Sequence, residues 1–253
     1  MSVETEELQA LCRRLRLPHL RKAAPEVCLT AKAQRWEPTE LLRVLLTEEV
    51  TGREGAMQRT RRKKAHFPTG KNFESWDRSK SSISAATQDG LATLEWVSRH
   101  ENLVVCGPSG TGKSHFCEAL GQVGVDKGQT VIWLSIEDLG ILVRKHRVDD
   151  SVARGLAPLL KADLVVVDDI GLLPISADAA EGLYRLVDAV YERRSIAISS
   201  NLHPSGFDEL MPTTIATALV DRLMHHAHVV VTTGESIRLT DATSGKGVVP
   251  LGS

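Results

Sequence analysis

The chain has 253 residues, enough for one large domain or for a main domain with a small appendage. Its 42% hydrophobic and 25% charged content is that of a soluble globular protein, and no apolar stretch approaches a membrane span. The net charge of -1 conceals a division, because residues 1–72 carry 15 Lys and Arg against 9 Asp and Glu, and the remainder 16 against 23. A basic front end on an acidic body implies that the front end meets something anionic, such as nucleic acid. Cys12, Cys28, Cys106 and Cys117 share no CxxC spacing, and Cys106, in a predicted strand, and Cys117, in the helix after the glycine-rich loop, read as core residues. Glu4, Glu6 and Glu7 stand where a signal peptide would be basic, so a cytoplasmic location is expected.

Leu8, Leu11 and Leu15 predict a helix from Glu4 to about Arg16, ended by Leu17-Pro18. A short second helix is expected over Thr30 to Arg35. Pro38-Thr39-Glu40 opens a third, with Thr39 as its cap and Leu41, Leu42, Leu45 and Leu46 inside it. That helix runs into the basic cluster Arg59, Arg61, Arg62, Lys63 and Lys64. Cations suit a helix C-terminus in any case, but the regional excess of charge favours a phosphate-contacting patch.

His66 to Lys80, with Pro68 and Gly70, reads as a linker. Its Phe73 and Trp76 either pin it to the body or fold over a bound base, and pinning is the preferred reading. One helix is expected from Ser84 to Ser98, burying Leu91, Leu94 and Val97. Strands are then expected at Asn102–Cys106, Thr130–Ile136, Asp163–Asp169 and Ser195–Ser200. Helices cover Lys113 to Val125, Glu137 to Arg147, Val152 to Leu160, Ala177 to Arg194 and Ile215 to His226. Strand-like runs follow at His228–Thr233 and Ser236–Thr240, and Ala242 to Ser253 is a Gly-rich tail. Alternating strands and helices mean a parallel sheet covered on both faces, with ligands at the carboxyl ends of its strands.

Gly107-Pro108-Ser109-Gly110-Thr111-Gly112-Lys113-Ser114 fits the P-loop pattern, placed between an apolar strand and a helix N-terminus. Such a loop cradles the phosphates of a nucleoside triphosphate. Lys113 would reach the β- and γ-phosphates, Ser114 would ligate Mg2+, and His115 is counted with the nucleotide-binding residues. Asp168 ends an apolar strand, where the Mg2+-organising carboxylate of a P-loop enzyme belongs, and Asp169 would orient or deprotonate the attacking water. Asn201 follows the next strand, within reach of the γ-phosphate. Arg222, inside the last long helix, is read as a finger completing a neighbouring subunit's site. His225, His226 and His228 lack a visible cysteine or carboxylate framework for a metal. A DNA-cutting carboxylate site would need a third acid that nothing singles out, and a small-molecule kinase would leave the basic front end unexplained.

Together these motifs resemble the AAA+ ATPases. Asn102 to Ser114, Asp168-Asp169-Ile170-Gly171, Ser199-Ser200-Asn201, Ala218 to His226 and Gly234-Glu235-Ser236-Ile237-Arg238-Leu239 are similar to the IstB family, transposase helpers related to the DnaC helicase loaders. The resemblance implies an α/β P-loop NTPase fold of three layers around a parallel sheet, preceded by a small all-helical domain. It implies domains at 1–66 (helical, DNA- or partner-binding) and 84–253 (ATPase), joined by a linker at 67–83. Only 31 residues follow Arg222, so no large C-terminal lid is expected. ATP and Mg2+ are the implied cofactors. The implied partners are double-stranded DNA, a transposase and further copies of the chain, with helicase loading as the alternative role. Two departures are visible: Asp169 stands where many AAA+ proteins have Glu, and Phe207 where the family suggests Trp.

Overall fold

Short β-branched runs dictate the centre of the molecule. A computed structural model describes residues 3–171, 173–237 and 239–240. It contains five parallel strands, β1 (Asn102–Cys106), β2 (Val131–Ser135), β3 (Leu164–Ile170), β4 (Ser195–Ser200) and β5 (Ala227–Val231), in the order β2-β3-β4-β1-β5. Each joins the next through a helix, as parallel pairing requires. Alternate side chains go to opposite faces: Val104, Val165, Val167, Ile196 and Ile198 to one core, Leu103, Val105, Leu164, Val166 and Ala197 to the other.

The first core is covered by α7 (Ile136–Arg147), α8 (Val152–Leu160), α9 (Ala177–Val190) and α10 (Thr213–Met224). The second is covered by α6 (Lys113–Asp126) with α4 (Ala85–Ala92) and α5 (Glu95–Ser98). Cys106 and Cys117 lie in these cores, and burial pushes both thiols up, leaving them as packing groups. No described helix is long and apolar enough to cross a membrane.

The chain divides into two compact units, Met1–Thr60 and Arg61–Ser253. The first unit is helical. Its elements are α1 (Val3–Arg14), α2 (Pro18–Gln34) and most of α3 (Pro38–Ala65), around Cys12, Leu20, Ala24 and Leu45. Glu49 on α3 holds the start of α2, accepting from the N–H groups of His19 and Leu20 at 2.9 and 2.8 Å.

Four expectations are corrected here. The second helix is not Thr30–Arg35 but all of Pro18–Gln34. The first helix does end ahead of Leu17-Pro18, at Arg14, and Pro18 in turn starts α2, in the first turn where its missing N–H costs nothing. The buried Ala24 and Ala31 carry too little hydrophobic contrast to announce their face. Thr39 is not a cap, since Pro38 is already helical and the Glu37 carbonyl accepts from the Leu41 N–H at 3.1 Å. The helix expected over Ser84–Ser98 breaks at Leu94, whose φ is 59°, although Leu91, Leu94 and Val97 are all buried. In place of the strand expected over Ser236–Thr240, its described residues make helix-like bonds: the Ser236 carbonyl accepts from the Thr240 N–H at 2.9 Å, and its hydroxyl from the Leu239 N–H at 3.3 Å. Arg238 and the Gly-rich tail lie outside the described residues.

Candidate nucleotide site

The carboxyl ends of β1, β3 and β4 are neighbours in the sheet, and the candidate residues sit just beyond them. Registration is tight there. The Gly107 N–H donates to the Ser200 carbonyl at 3.1 Å and the Asn201 N–H to the Ile170 carbonyl at 2.7 Å. Gly107 must be glycine, because its φ is 144° and a Cβ would stand 2.1 Å from the Thr232 carbonyl oxygen. Thr111 turns inward, its hydroxyl donating to the Pro108 carbonyl at 2.9 Å and meeting the Thr232 hydroxyl at 2.7 Å.

The loop ends at the N-terminus of α6, where the helix dipole and backbone N–H groups favour an anion. Lys113 opens that helix, and its ammonium donates to the Pro108 carbonyl and to Asn201 Oδ1, both at 2.8 Å. Ser114 follows and donates its hydroxyl to Asp168 Oδ1 at 2.8 Å. Four of the residues read from the sequence therefore meet as two hydrogen-bonded pairs, Lys113 with Asn201 and Ser114 with Asp168, held at adjacent positions of α6. Asp169 joins them at the margin of the same cleft, about 310 Å³ in volume, whose other wall includes Lys71, Trp76 and Ile237.

The two carboxylates differ because β3 is irregular at its end. Val167 pairs with Ile198 and Ile170 with Ser200, so β3 holds an extra residue there. Asp169 takes up the irregularity at φ 63° and is exposed, while Asp168 points inward and is 7% exposed. Burial pushes the Asp168 carboxyl above its ordinary range; hydroxyl donation from Ser199 and Ser114 opposes this, and the Asp169 charge adds to it. Ser199 is a site residue the sequence reading did not assign.

A raised carboxyl means that the folded chain binds that proton more tightly than the unfolded chain does. The resulting cost is absent at low pH and grows as pH rises through the folded pKa. Asp168→Asn removes the buried charge, so in the absence of Mg2+ it should raise Tm at neutral pH by about 2–4 °C. Differential scanning calorimetry checks this, and the advantage should vanish at acid pH. The same variant should lose ATP hydrolysis.

Arg222 is not brought to this cleft. Its Nε lies 2.8 Å from Asp188 Oδ1, Nη1 donates to the Ala218 carbonyl at 3.1 Å, and the guanidinium carbon is 5.6 Å from the Tyr184 ring centroid. Among the basic cluster, Arg62 pairs with Asp126 at 2.6 Å, Arg61 is half-buried, and Arg59, Lys63 and Lys64 are exposed. Trp76 does what was expected of it. It packs on Phe116 and His115 with centroids 5.5 and 5.0 Å away, and it also faces the cleft. Glu192, in a tight turn at φ 55°, lies 3.8 and 3.6 Å from His225 and His226, a carboxylate neighbour that sequence distance had hidden.

Residues 10–244 match the model of the IstB-like ATP binding protein family. An insertion sequence IS21 putative ATP-binding protein of Pseudomonas aeruginosa is 32% identical over 237 residues, spanning 93% of this chain and 89% of its own. An insertion sequence IS232 putative ATP-binding protein of Bacillus thuringiensis subsp. berliner is 30% identical over 204 residues, 80% of this chain and 82% of its own. The fold is similar to AMPPCP-bound DnaA from Aquifex aeolicus, with a TM-score of 0.53, 16% identity, and coverage of 74% of this chain and 59% of that one. The chain therefore belongs to the IstB-like ATP binding proteins.

Proposed function

We propose that this ATPase is a transposition helper, which assembles on double-stranded DNA in its ATP form, presents that DNA to a transposase, and disassembles on hydrolysis. The insertion-sequence names of its relatives support the setting. The observation that carries the assembly step is the position of Arg222. Lys113, Ser114, Asp169 and Asn201 of one chain line the cleft, with Asp168 hydrogen-bonded to Ser114 behind it, while the arginine suited to the γ-phosphate faces Asp188 instead. A second copy would supply it.

The chemistry follows from the side chains. Backbone N–H groups of the loop and the Lys113 ammonium hold the phosphates. Asp169 takes a proton from water as the water oxygen bonds to the γ-phosphorus. The bond from that phosphorus to the β–γ bridging oxygen breaks, leaving ADP and phosphate. Asn201, already linked to Lys113, steadies the water or the γ-phosphate. Ser114 and Asp168 are a fitting pair for Mg2+, because a buried carboxylate whose charge is disfavoured sits beside a hydroxyl, and hard cations take such oxygen donors. When bound, the ion neutralises phosphate charge.

The basic residues at the end of α3 would contact phosphates, giving salt-sensitive binding with little sequence preference. The test is light scattering of the full chain on duplex DNA, with a non-hydrolysable ATP analogue and then with ADP. A large complex requiring both DNA and the ATP form is expected. A monomer under every condition overturns the assembly and moves the reading toward helicase loading. Replacing Arg59, Lys63 and Lys64 by alanine should weaken DNA binding about 10-fold and flatten its salt dependence by up to three phosphate contacts.

A further inference from the structure

The segment between α3 and the ATPase core lies along α6 like a strap. Its residues 67–76 run against the helix direction, from Gly121 back to the phosphate loop, with one attachment per helical turn. At Gly121 the backbone passes so close to Phe67 that a Cβ would stand 2.8 Å from its ring. One turn earlier, Glu118 grips three consecutive strap residues. Its Oε1 accepts from the N–H groups of Thr69, Gly70 and Lys71 at 3.2, 2.6 and 3.2 Å, and Oε2 from the Thr69 hydroxyl at 2.6 Å. The next turn presents His115, which donates from Nε2 to the Asn72 carbonyl at 3.1 Å, and Phe116, whose ring meets Phe73 at 5.7 Å. The last contact is Trp76 over Gly112, where a Cβ would be 2.9 Å from the indole.

Glu118 is 1% exposed. Burying a carboxylate is costly unless its oxygens are filled, and here four donors from the strap fill them. The same strap then supplies Lys71, Ser75, Trp76, Asp77 and Lys80 to one wall of the nucleotide cleft. The N-terminus of α6, next to Trp76, carries Lys113 and Ser114. One rigid helix thus fixes both the phosphate-binding residues and the wall facing them.

We propose that Glu118 is a positioning residue for the nucleotide, holding the strap as the cleft wall so that ATP or ADP is enclosed on the side away from the phosphate loop. This rests on the cleft being the nucleotide site. It acts through the strap and touches no nucleotide itself. In Glu118→Gln, the amide oxygen can still accept the three N–H groups and the amide NH2 can donate to the Thr69 hydroxyl, so the grip survives. In Glu118→Ala it does not.

The experiment measures ADP binding to the full chain by titration calorimetry with Mg2+, alongside hydrogen exchange of the amides at Thr69, Gly70 and Lys71. Glu118→Ala should weaken ADP binding about 10-fold and speed exchange at those three amides, while Glu118→Gln stays within about 3-fold of the parent on both. Faster exchange with unchanged ADP affinity would overturn the proposal, because the strap would then be loose without consequence for the site. Equal losses in the alanine and glutamine variants would also overturn it. Should Glu118→Ala fail to fold, Thr69→Val removes one of the four bonds and is expected to weaken ADP about 3-fold; no change there counts against the grip. If the parent chain itself bound no ADP, the nucleotide reading would fall and this proposal with it. Protected strap amides would then mark Glu118 as a purely structural anchor.

Discussion

Replacing Lys113 by alanine should weaken ATP binding by at least about 10²-fold and leave no measurable hydrolysis. The reason lies in where the ammonium is held. It is 7% exposed, fixed between the Pro108 carbonyl and Asn201, and so offers its charge to the phosphates with little side-chain entropy left to lose. Arginine should not substitute, because its planar fork cannot occupy the space of a compact ammonium between those two oxygens. Asn201→Ala makes the informative comparison. It removes one partner of Lys113 but leaves the charge, so ATP affinity should fall less than 10-fold while hydrolysis drops about 10²-fold. Equilibrium binding of a fluorescent ATP analogue and phosphate release separate the two effects. Unchanged binding in Lys113→Ala, with native circular dichroism, would remove this cleft as the nucleotide site.

The phosphate loop was legible because glycine chemistry is local: an anion-gripping turn between a strand and a helix needs Gly and Lys at fixed spacing. Asp168 was legible for a similar reason, as the polar end of the apolar run Leu164–Val167. The bulge that separates its role from that of Asp169 was not, since it depends on how β3 pairs with β4. Helix α2 stayed hidden because its buried face is made partly of alanine and interrupted by Pro25. The break at Leu94 has an equally local-looking sequence, and only the packing of Trp96, whose indole donates to the Leu91 carbonyl at 3.0 Å, explains why the helix turns there. Glu118 had no signal of its own. A glutamate in a helix is ordinarily a solvated residue, and its partners are 47 to 49 positions away.

Arg222→Ala should leave ATP affinity within about 2-fold and lower the rate of hydrolysis by about 10³-fold. The first half follows from the position of the side chain, which faces Asp188 and Tyr184 and does not line its own cleft. The second half requires that it move to, or already face, a neighbouring subunit's nucleotide. The ion pair is no obstacle. Arg222 and Asp188 are 32% and 49% exposed, and such a pair contributes about 0–1 kcal/mol, far less than the charge stabilisation a γ-phosphate in transit offers. Mixing two inactive chains decides the matter. Lys113→Ala cannot hold nucleotide but keeps Arg222; Arg222→Ala keeps an intact cleft. If the arginine acts between subunits, the mixture hydrolyses ATP although neither chain alone does, because clefts of the second border arginines of the first. If it acts within its own chain, or not at all, mixing restores nothing. A rate in Arg222→Ala equal to that of the parent would leave the residue as a partner of Asp188 and no more.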